Sequence, residues 1–128
     1  MIKDNVIVEK TKAFALRIIK LYRYLREEKN EHVLSKQVLK SGTSIGANVK
    51  EAVRGQTKAD FYAKMNIALK EASETEYWLE LLVGSQLIEL AHYSDIYEDC
   101  QEIIKLLVSI TKKQKAEEIG GALGEQRK

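Results

Sequence analysis

Three residues, Glu89, His92 and Cys100, have types and spacings that could serve catalysis or metal binding. Glu89 and His92 have the Glu-x-x-His spacing of carboxylate-bridged di-iron bundles, but such a centre needs two such pairs and two further glutamates, and the sequence has one pair. Cys100 is the single cysteine, and no base that could activate its thiol is evident beside it. We therefore expect no catalytic residues, no metal and no cofactor. The chain is predicted not to be an enzyme, with a metal-dependent oxidase as the alternative.

A run of bases near the N-terminus could bind phosphate groups. Six bases lie between positions 10 and 26 with no acid among them. Three of them share one helix face with Tyr24, the other three flank Leu16 and Ile19, and Tyr22 or Tyr24 could add stacking. An exposed, solvated face is the alternative interpretation. The candidate residues for binding RNA or DNA are Lys10, Lys12, Arg17, Lys20, Arg23 and Arg26.

The charge is divided unevenly along the chain, although the net charge is only +2. Residues 1–70 hold fifteen bases and seven acids, a net of +8, whereas residues 71–128 hold six bases and twelve acids, a net of −6. Between Lys70 and Lys105 every charged residue is acidic. A basic half and an acidic half predict that copies of the chain attract each other.

The absence of proline and the small number of glycines, seven in 128 residues, permit long helices. Apolar residues recur at steps of three and four, which predicts an all-α, antiparallel up-down-up-down four-helix bundle over residues 1–115 and a flexible tail over 116–128. No segment is apolar enough to span a membrane or to act as a secretory signal, so we expect a cytoplasmic protein. The predicted helices run from Asp4 or Glu9 to Glu28, Leu34 to Arg54, after Thr57 to Gly84, and from an N-cap at Ser94 to about Lys112–Lys115.

The second predicted helix contains a run of small residues from Ser41 to Asn48. Its two glycines are unfavourable in a helix, which indicates close packing against a neighbour, and Ala68 and Ala72 of the third helix would suit that contact. One flank of the same helix carries a polar strip, which we interpret as structural, with Asn48 at a core position that fixes the helix register. The strip consists of Ser44, Asn48 and Glu51.

The first and third helices have more apolar residues than one core requires. A wide core face is one interpretation, and a subunit interface is the other, because monomers rarely expose large apolar patches. The candidate interface residues are Leu16, Ile19, Ile67, Trp78 and Leu81.

Three segments resemble a bacterial family of four-helix bundles that includes the proteins encoded in intervening sequences of 23S ribosomal RNA genes. They are SGTSIGANVKEA (residues 41–52), KADFYAKMNIALKEA (58–72) and ETEYWLELL (74–82). The resemblance covers nearly all of residues 1–115. Its most specific parts are the Ser-Ile-x-x-Asn-x-x-Glu pattern of Ser44, Ile45, Asn48 and Glu51, and the segment that ends at Trp78.

The resemblance implies a bundle that assembles as a ring, a homopentamer. A relative that is an accessory protein of diversity-generating retroelements implies that such a ring can bind nucleic acid and a protein partner, a reverse transcriptase. This chain is less basic than that relative. The family pattern carries no catalytic residues.

Overall fold

The computed structural model of the chain describes residues 2–126, and the side chains of residues 6–120. It contains four helices: α1 (Ile2–Glu27), α2 (Leu34–Val53), α3 (Lys58–Gly84) and α4 (Leu90–Gln126). Each helix contacts the next, and α4 also contacts α1, which closes a four-helix bundle. The predicted all-α bundle is confirmed. Two ends of the chain lie outside the described residues: Met1, at the start of the predicted bundle, and Arg127 and Lys128, at the end of the predicted tail.

Cross-helix contacts show that neighbouring helices run antiparallel. Ser41 of α2 pairs with Thr75 of α3, whereas Glu51, further along α2, pairs with Lys64, which precedes Thr75. Along α4, likewise, Tyr97 contacts α3 at Glu80 and Glu117 contacts it near the start of that helix. Short links of residues 28–33, 54–57 and 85–89 make this arrangement possible.

One stripe of each helix faces a shared apolar core, as the spacing of apolar residues predicts. The largest side chains with almost no exposed surface include Phe14, Ile18, Ile45, Met65 and Leu107. Complete removal of such side chains from water supplies most of the stability of a bundle that has no disulfide. The remaining buried hydrophobic residues are Ile7, Leu25, Val38, Val49, Ala52, Tyr62, Ala68, Ala72, Leu79, Leu82, Ile88, Ile96, Cys100 and Ile103.

The glycines of α2 bring that helix close to α1. A Cβ atom built on Gly42 would lie 2.8 Å from Cγ1 of Ile18, and one built on Gly46 would lie 3.4 Å from the backbone oxygen of Thr11. The prediction of close packing is therefore confirmed. The predicted partners, Ala68 and Ala72 of α3, were wrong, because the glycines face α1 and the hydroxyl of Ser41 faces α3.

The N-terminus of α2 is capped by Glu31, which lies between the first two predicted helices. Its carboxylate accepts hydrogen bonds from the backbone N–H groups of Val33, Leu34 and Ser35 at 3.0, 3.1 and 2.8 Å. Partial burial raises the pKa of Glu31, but these three bonds lower it more, and the pKa ends below its ordinary value. The charged carboxylate thus accepts hydrogen bonds from backbone N–H groups that have no acceptor within the helix.

The ends of α3 match the sequence prediction in position. Thr57 accepts a hydrogen bond from the N–H of Asp60 at 3.0 Å, which confirms the predicted N-cap. The helix ends at Gly84, and the N–H of Ser85 bonds to the carbonyl of Leu81 at 2.9 Å. The left-handed backbone that turns the chain lies at Gln86, whose φ is 65°, and not at the glycine.

Both ends of α4 differ from the prediction. The helix begins at Leu90, since the carbonyl of Glu89 accepts from the N–H groups of His92 and Tyr93, while Ser94 lies within the helix and donates to the carbonyl of Ala91. The predicted N-cap at Ser94 was therefore wrong. The helix also continues to Gln126 and passes the predicted end at Lys112–Lys115. The domain boundary at residue 115 and the flexibility of the tail stay predictions.

Candidate interaction surfaces

The basic run of α1 is divided by the fold, because two of its six members face α4. Lys10 donates to Glu102 at 2.9 Å, and Arg17 is paired with Asp99. The hydrogen bond and the charge of Glu102 raise the pKa of Lys10, and the same contact lowers the pKa of Glu102. These are exposed pairs, so each stabilises the fold only slightly, but each also neutralises a charge that a phosphate group would need.

The other four candidates, Lys12, Lys20, Arg23 and Arg26, remain exposed on α1. Among the described side chains, none of them has a carboxylate oxygen within 4.0 Å, whereas Lys10 and Arg17 do. Arg26 lies over the ring of Tyr22, with 5.4 Å between the guanidinium carbon and the ring centroid. The structure therefore keeps a smaller basic surface on α1 than the six residues predicted from the sequence.

The five candidate interface residues differ in exposure. Leu16 and Ile67 are 56% and 42% exposed, whereas Ile19, Trp78 and Leu81 are half-buried. Trp78 packs against the core, and its Nε1 donates to Glu74 at 3.3 Å. In the single chain, Leu16 and Ile67 are therefore exposed apolar side chains. Trp78, in contrast, also helps to pack the core.

The two exposed candidates lie on opposite sides of the bundle. Within residues 2–126, α1 contacts α2 and α4 but has no Cα atom within 8 Å of α3. Because α1 and α3 are diagonal, the outward faces that carry Leu16 and Ile67 cannot belong to one continuous patch. The bundle thus presents two exposed apolar side chains on diagonal helices. Leu16 has Lys12 and Lys20 one turn away, and Ile67 has Lys64, Lys70 and Glu71.

The polar strip of α2 makes its hydrogen bonds mainly within that helix. Ser44 donates to the carbonyl of Lys40 at 2.6 Å, and the side-chain amide of Asn48 donates to the carbonyl of Ser44 at 2.8 Å. Glu51 lies 3.1 Å from Lys64 of α3. Asn48 is half-buried and does not lie in the core where the spacing placed it.

A buried polar contact that the sequence analysis did not single out connects α2 and α3. The hydroxyl oxygens of Ser41 and Thr75 lie 2.9 Å apart, and Thr75 is also 2.8 Å from the carbonyl of Glu71. Both side chains are almost completely buried. The sequence feature that could have indicated this contact is one hydroxyl side chain on the otherwise apolar stripe of each helix.

The residues considered for chemistry lie in unsuitable surroundings. Burial raises the pKa of Cys100 to about 12, and its Sγ donates to the carbonyl of Ala72 at 3.5 Å. Such a thiol carries almost no thiolate at neutral pH. Glu89 and His92 are exposed, and the described side chains include no group of three or more potential metal ligands.

A groove lies between α1 and α4, and no pattern within one helix indicates it. Its volume is about 410 Å³, and its apolar floor is formed by Leu21, Ile88 and Ile96. The polar groups that line it are Arg17, Lys20, Tyr24 and His92, so it has bases but no acid. The groove lies towards the end of the bundle where α3 is linked to α4.

Comparison with known proteins agrees with this fold. The family described as 23S rRNA-intervening sequence protein matches residues 3–109, most of the chain. The chain belongs to this family. The motif that carried the resemblance divides in the structure, since Ile45 lies in the core while Ser44, Asn48 and Glu51 lie at the outer edge between α2 and α3.

A solved structure from the S23 ribosomal protein family of Bacteroides thetaiotaomicron is similar over nearly the whole bundle. It is 56% identical, the match covers 86% of this chain and 98% of that chain, and the TM-score is 0.84. That protein is described as one with unknown function. No curated protein matches the chain. None of the helices that the structure describes is both long and apolar enough to cross a membrane.

Proposed function

We propose that the chain is a non-enzymatic, cytoplasmic protein that assembles with copies of itself and acts as a binding or scaffold module. The observation that supports this most is the placement of exposed Leu16 and Ile67 on diagonal helices. A surface on one side of a subunit that meets a different surface on the next subunit makes a heterologous contact, which closes into a ring where the rotation permits. The ring we propose is a homopentamer.

The charges of the helices favour the same arrangement. Seven bases and three acids lie on α1, whereas three bases and five acids lie on α3. The basic surface around Leu16 therefore complements the half of α3 that follows Lys70, where every charged residue is acidic. Ile67 lies at the edge of that half, with Lys64 and Lys70 one turn away on either side. Complementary charge fixes the orientation of such a contact and increases its rate of formation.

Replacing Leu16 or Ile67 with glutamate is expected to convert the assembly to smaller species. A charge at the centre of an apolar contact must be desolvated, which weakens association at least tenfold. Sedimentation velocity gives the mass distribution, and circular dichroism checks that the helix content is kept. Both side chains are exposed in the single chain, so the fold itself loses little.

The matched control is Val33→Glu, because Val33 is 70% exposed and lies in the link between α1 and α2. We expect the control to keep the mass of the unmodified chain. If both interface variants sediment as the unmodified assembly does, these surfaces are not the interface.

A second candidate function is that of an accessory protein that binds RNA or DNA, alone or together with a protein partner. The observation that favours it is that Lys12, Lys20, Arg23 and Arg26 lie on α1 without a carboxylate partner among the described residues. A ring would repeat this surface in every subunit. Repetition increases avidity without any new type of contact.

Neutralising these four bases to glutamine is expected to reduce nucleic-acid affinity and its dependence on salt. Each phosphate contact contributes about 0.9 to the slope of log K against log salt, so the loss of four should flatten it by about 3 to 4 per subunit engaged. Gel shifts over a salt series measure both effects. The control replaces Lys70, Lys105, Lys112 and Lys113, which removes the same charge from α3 and α4. Equal losses in the two variants, or no binding at low salt, would rule out a specific α1 surface.

A further inference from the structure

The groove between α1 and α4 has the composition of a site for an acidic and apolar segment. Leu21, Ile88 and Ile96 form its floor, while Lys20 and His92 stand at its edge. Arg17, also in the lining, is paired with Asp99, but Lys20 has no carboxylate within 4.0 Å among the described side chains. An occupant that fits this surface carries an apolar side chain for the floor and a carboxylate for Lys20.

The end of α4 has that composition. Among the described side chains, α4 contacts α3 at Glu117, which accepts from Tyr62 at 3.3 Å and lies 3.7 Å from Lys58. Residues 118–126 continue the helix for about 13 Å further. Ile119 in this extension is 61% exposed, and Glu118 beside it is exposed too.

The extension carries acids and apolar side chains but no base. Leu123 follows Ile119 by one helical turn, and Glu125 adds a second acid. Gly120, Gly121 and Gly124 make it a poor helix former on its own, so packing against another surface would compensate for its composition. The extension also lies outside residues 3–109, the part that matches the family.

We infer that the extension of one copy, residues 118–126, docks in the α1–α4 groove of a second copy, with Ile119 on the apolar floor and Glu118 beside Lys20. The chain cannot make this contact with itself. Ile96 and Ile119 lie on one continuous helix, 23 residues apart, which separates them by about 35 Å. The contact joins opposite ends of two bundles and is heterologous, as a ring requires. The inference rests on the proposed self-assembly.

The test uses the full chain with single substitutions, and its readout is the dissociation constant of the assembly from sedimentation at several concentrations. Ile119→Asp is expected to raise that constant at least tenfold, because the floor of the groove loses its apolar partner. The matched control is Val108→Asp. Val108 is 45% exposed on the same helix, but it lies before the extension, in the part of α4 that packs in the bundle. We expect the control to change the constant less than twofold.

Exchanging the charges of Lys20 and Glu118 tests whether these two residues are in contact. Lys20→Glu and Glu118→Lys should each weaken assembly severalfold, and the double variant should restore most of the loss. If the unmodified chain assembles and neither Ile119→Asp nor Glu118→Lys changes its dissociation constant, the inference is wrong and the proposed assembly stands. If Lys20→Glu alone weakens it, Lys20 acts through another contact, such as the surface around Leu16, and the inference is also wrong. If the unmodified chain is a monomer, the proposed function fails first.

Discussion

Replacing Gly42 with valine should lower the free energy of unfolding by about 3 kcal/mol. A Cβ at this position would lie 2.8 and 2.9 Å from the Cγ atoms of Ile18 and 3.3 Å from its Cβ. Ile18 is completely buried, so it cannot move out of the way without disturbing the core. Valine adds two further methyl groups in the same space, and α1 must move away from α2. Urea unfolding followed by circular dichroism measures the change.

The control for this substitution is Gly84→Val. Gly84 is the last residue of α3, its φ is not positive, and no atom lies within 4 Å of a Cβ built on it. The same chemical change is therefore expected to alter the free energy of unfolding by no more than about 0.5 kcal/mol. Equal effects of the two valines would show that helix propensity, and not the contact of α1 with α2, explains the glycine at position 42.

Replacing Thr75 with valine should destabilise the chain by about 2 kcal/mol, because it leaves the buried hydroxyl of Ser41 without its partner on α3. The double variant Ser41→Ala/Thr75→Val removes both hydroxyls. It should recover at least 1 kcal/mol of the sum of the two single losses, since no polar group is then left unpaired. Urea unfolding of the four proteins completes the cycle.

Thr111→Val serves as the control for the threonine substitution. The hydroxyl of Thr111 donates to the carbonyl of Leu107 in its own helix at 2.9 Å, and no second side chain depends on it. We expect a loss of at most about 0.5 kcal/mol. A strictly additive cycle at positions 41 and 75 would contradict a direct contribution of this pair to the packing of α2 against α3.

The fold could be predicted from the sequence because the information is local. Steps of three and four between residues such as Phe14, Ile18 and Leu25 specify which face of a helix is buried, and these side chains have almost no exposed surface. The cap at Thr57 was predictable for the same reason, since its partner is only three residues away. Regular spacing and short-range hydrogen bonds therefore account for the elements and most of the core.

The errors occur where local signals compete. Ser94 has the side chain of a typical N-cap, but the carbonyl of Glu89 starts the helix one turn earlier, so its hydroxyl bonds within the helix. α2 begins at Leu34, as predicted, but its cap was not predicted: Val33 occupies the capping position and the carboxylate comes from Glu31, a residue type that capping preferences do not rank highly. In both helices, the course of the backbone before the first turn determines which group caps the helix.

The candidate surfaces were only partly predictable because they depend on distant contacts. Lys10 and Glu102 are 92 positions apart, and nothing in the spacing of the bases indicated that two of them face α4. The groove, likewise, exists because of the separation between α1 and α4 beside Ile88 and Ile96. A pattern within one helix specifies a face, but the neighbour of that face comes from the tertiary structure.

The central claim is that the chain works as an assembly of identical copies, and its molar mass in solution is the most direct test. Light scattering on the unmodified chain should give the mass of five copies of 14.6 kDa, about 73 kDa, at low salt. High salt should shift part of the material to smaller species, because it screens the attraction between the basic and acidic surfaces. A mass of 14.6 kDa at both salt concentrations would contradict the proposal.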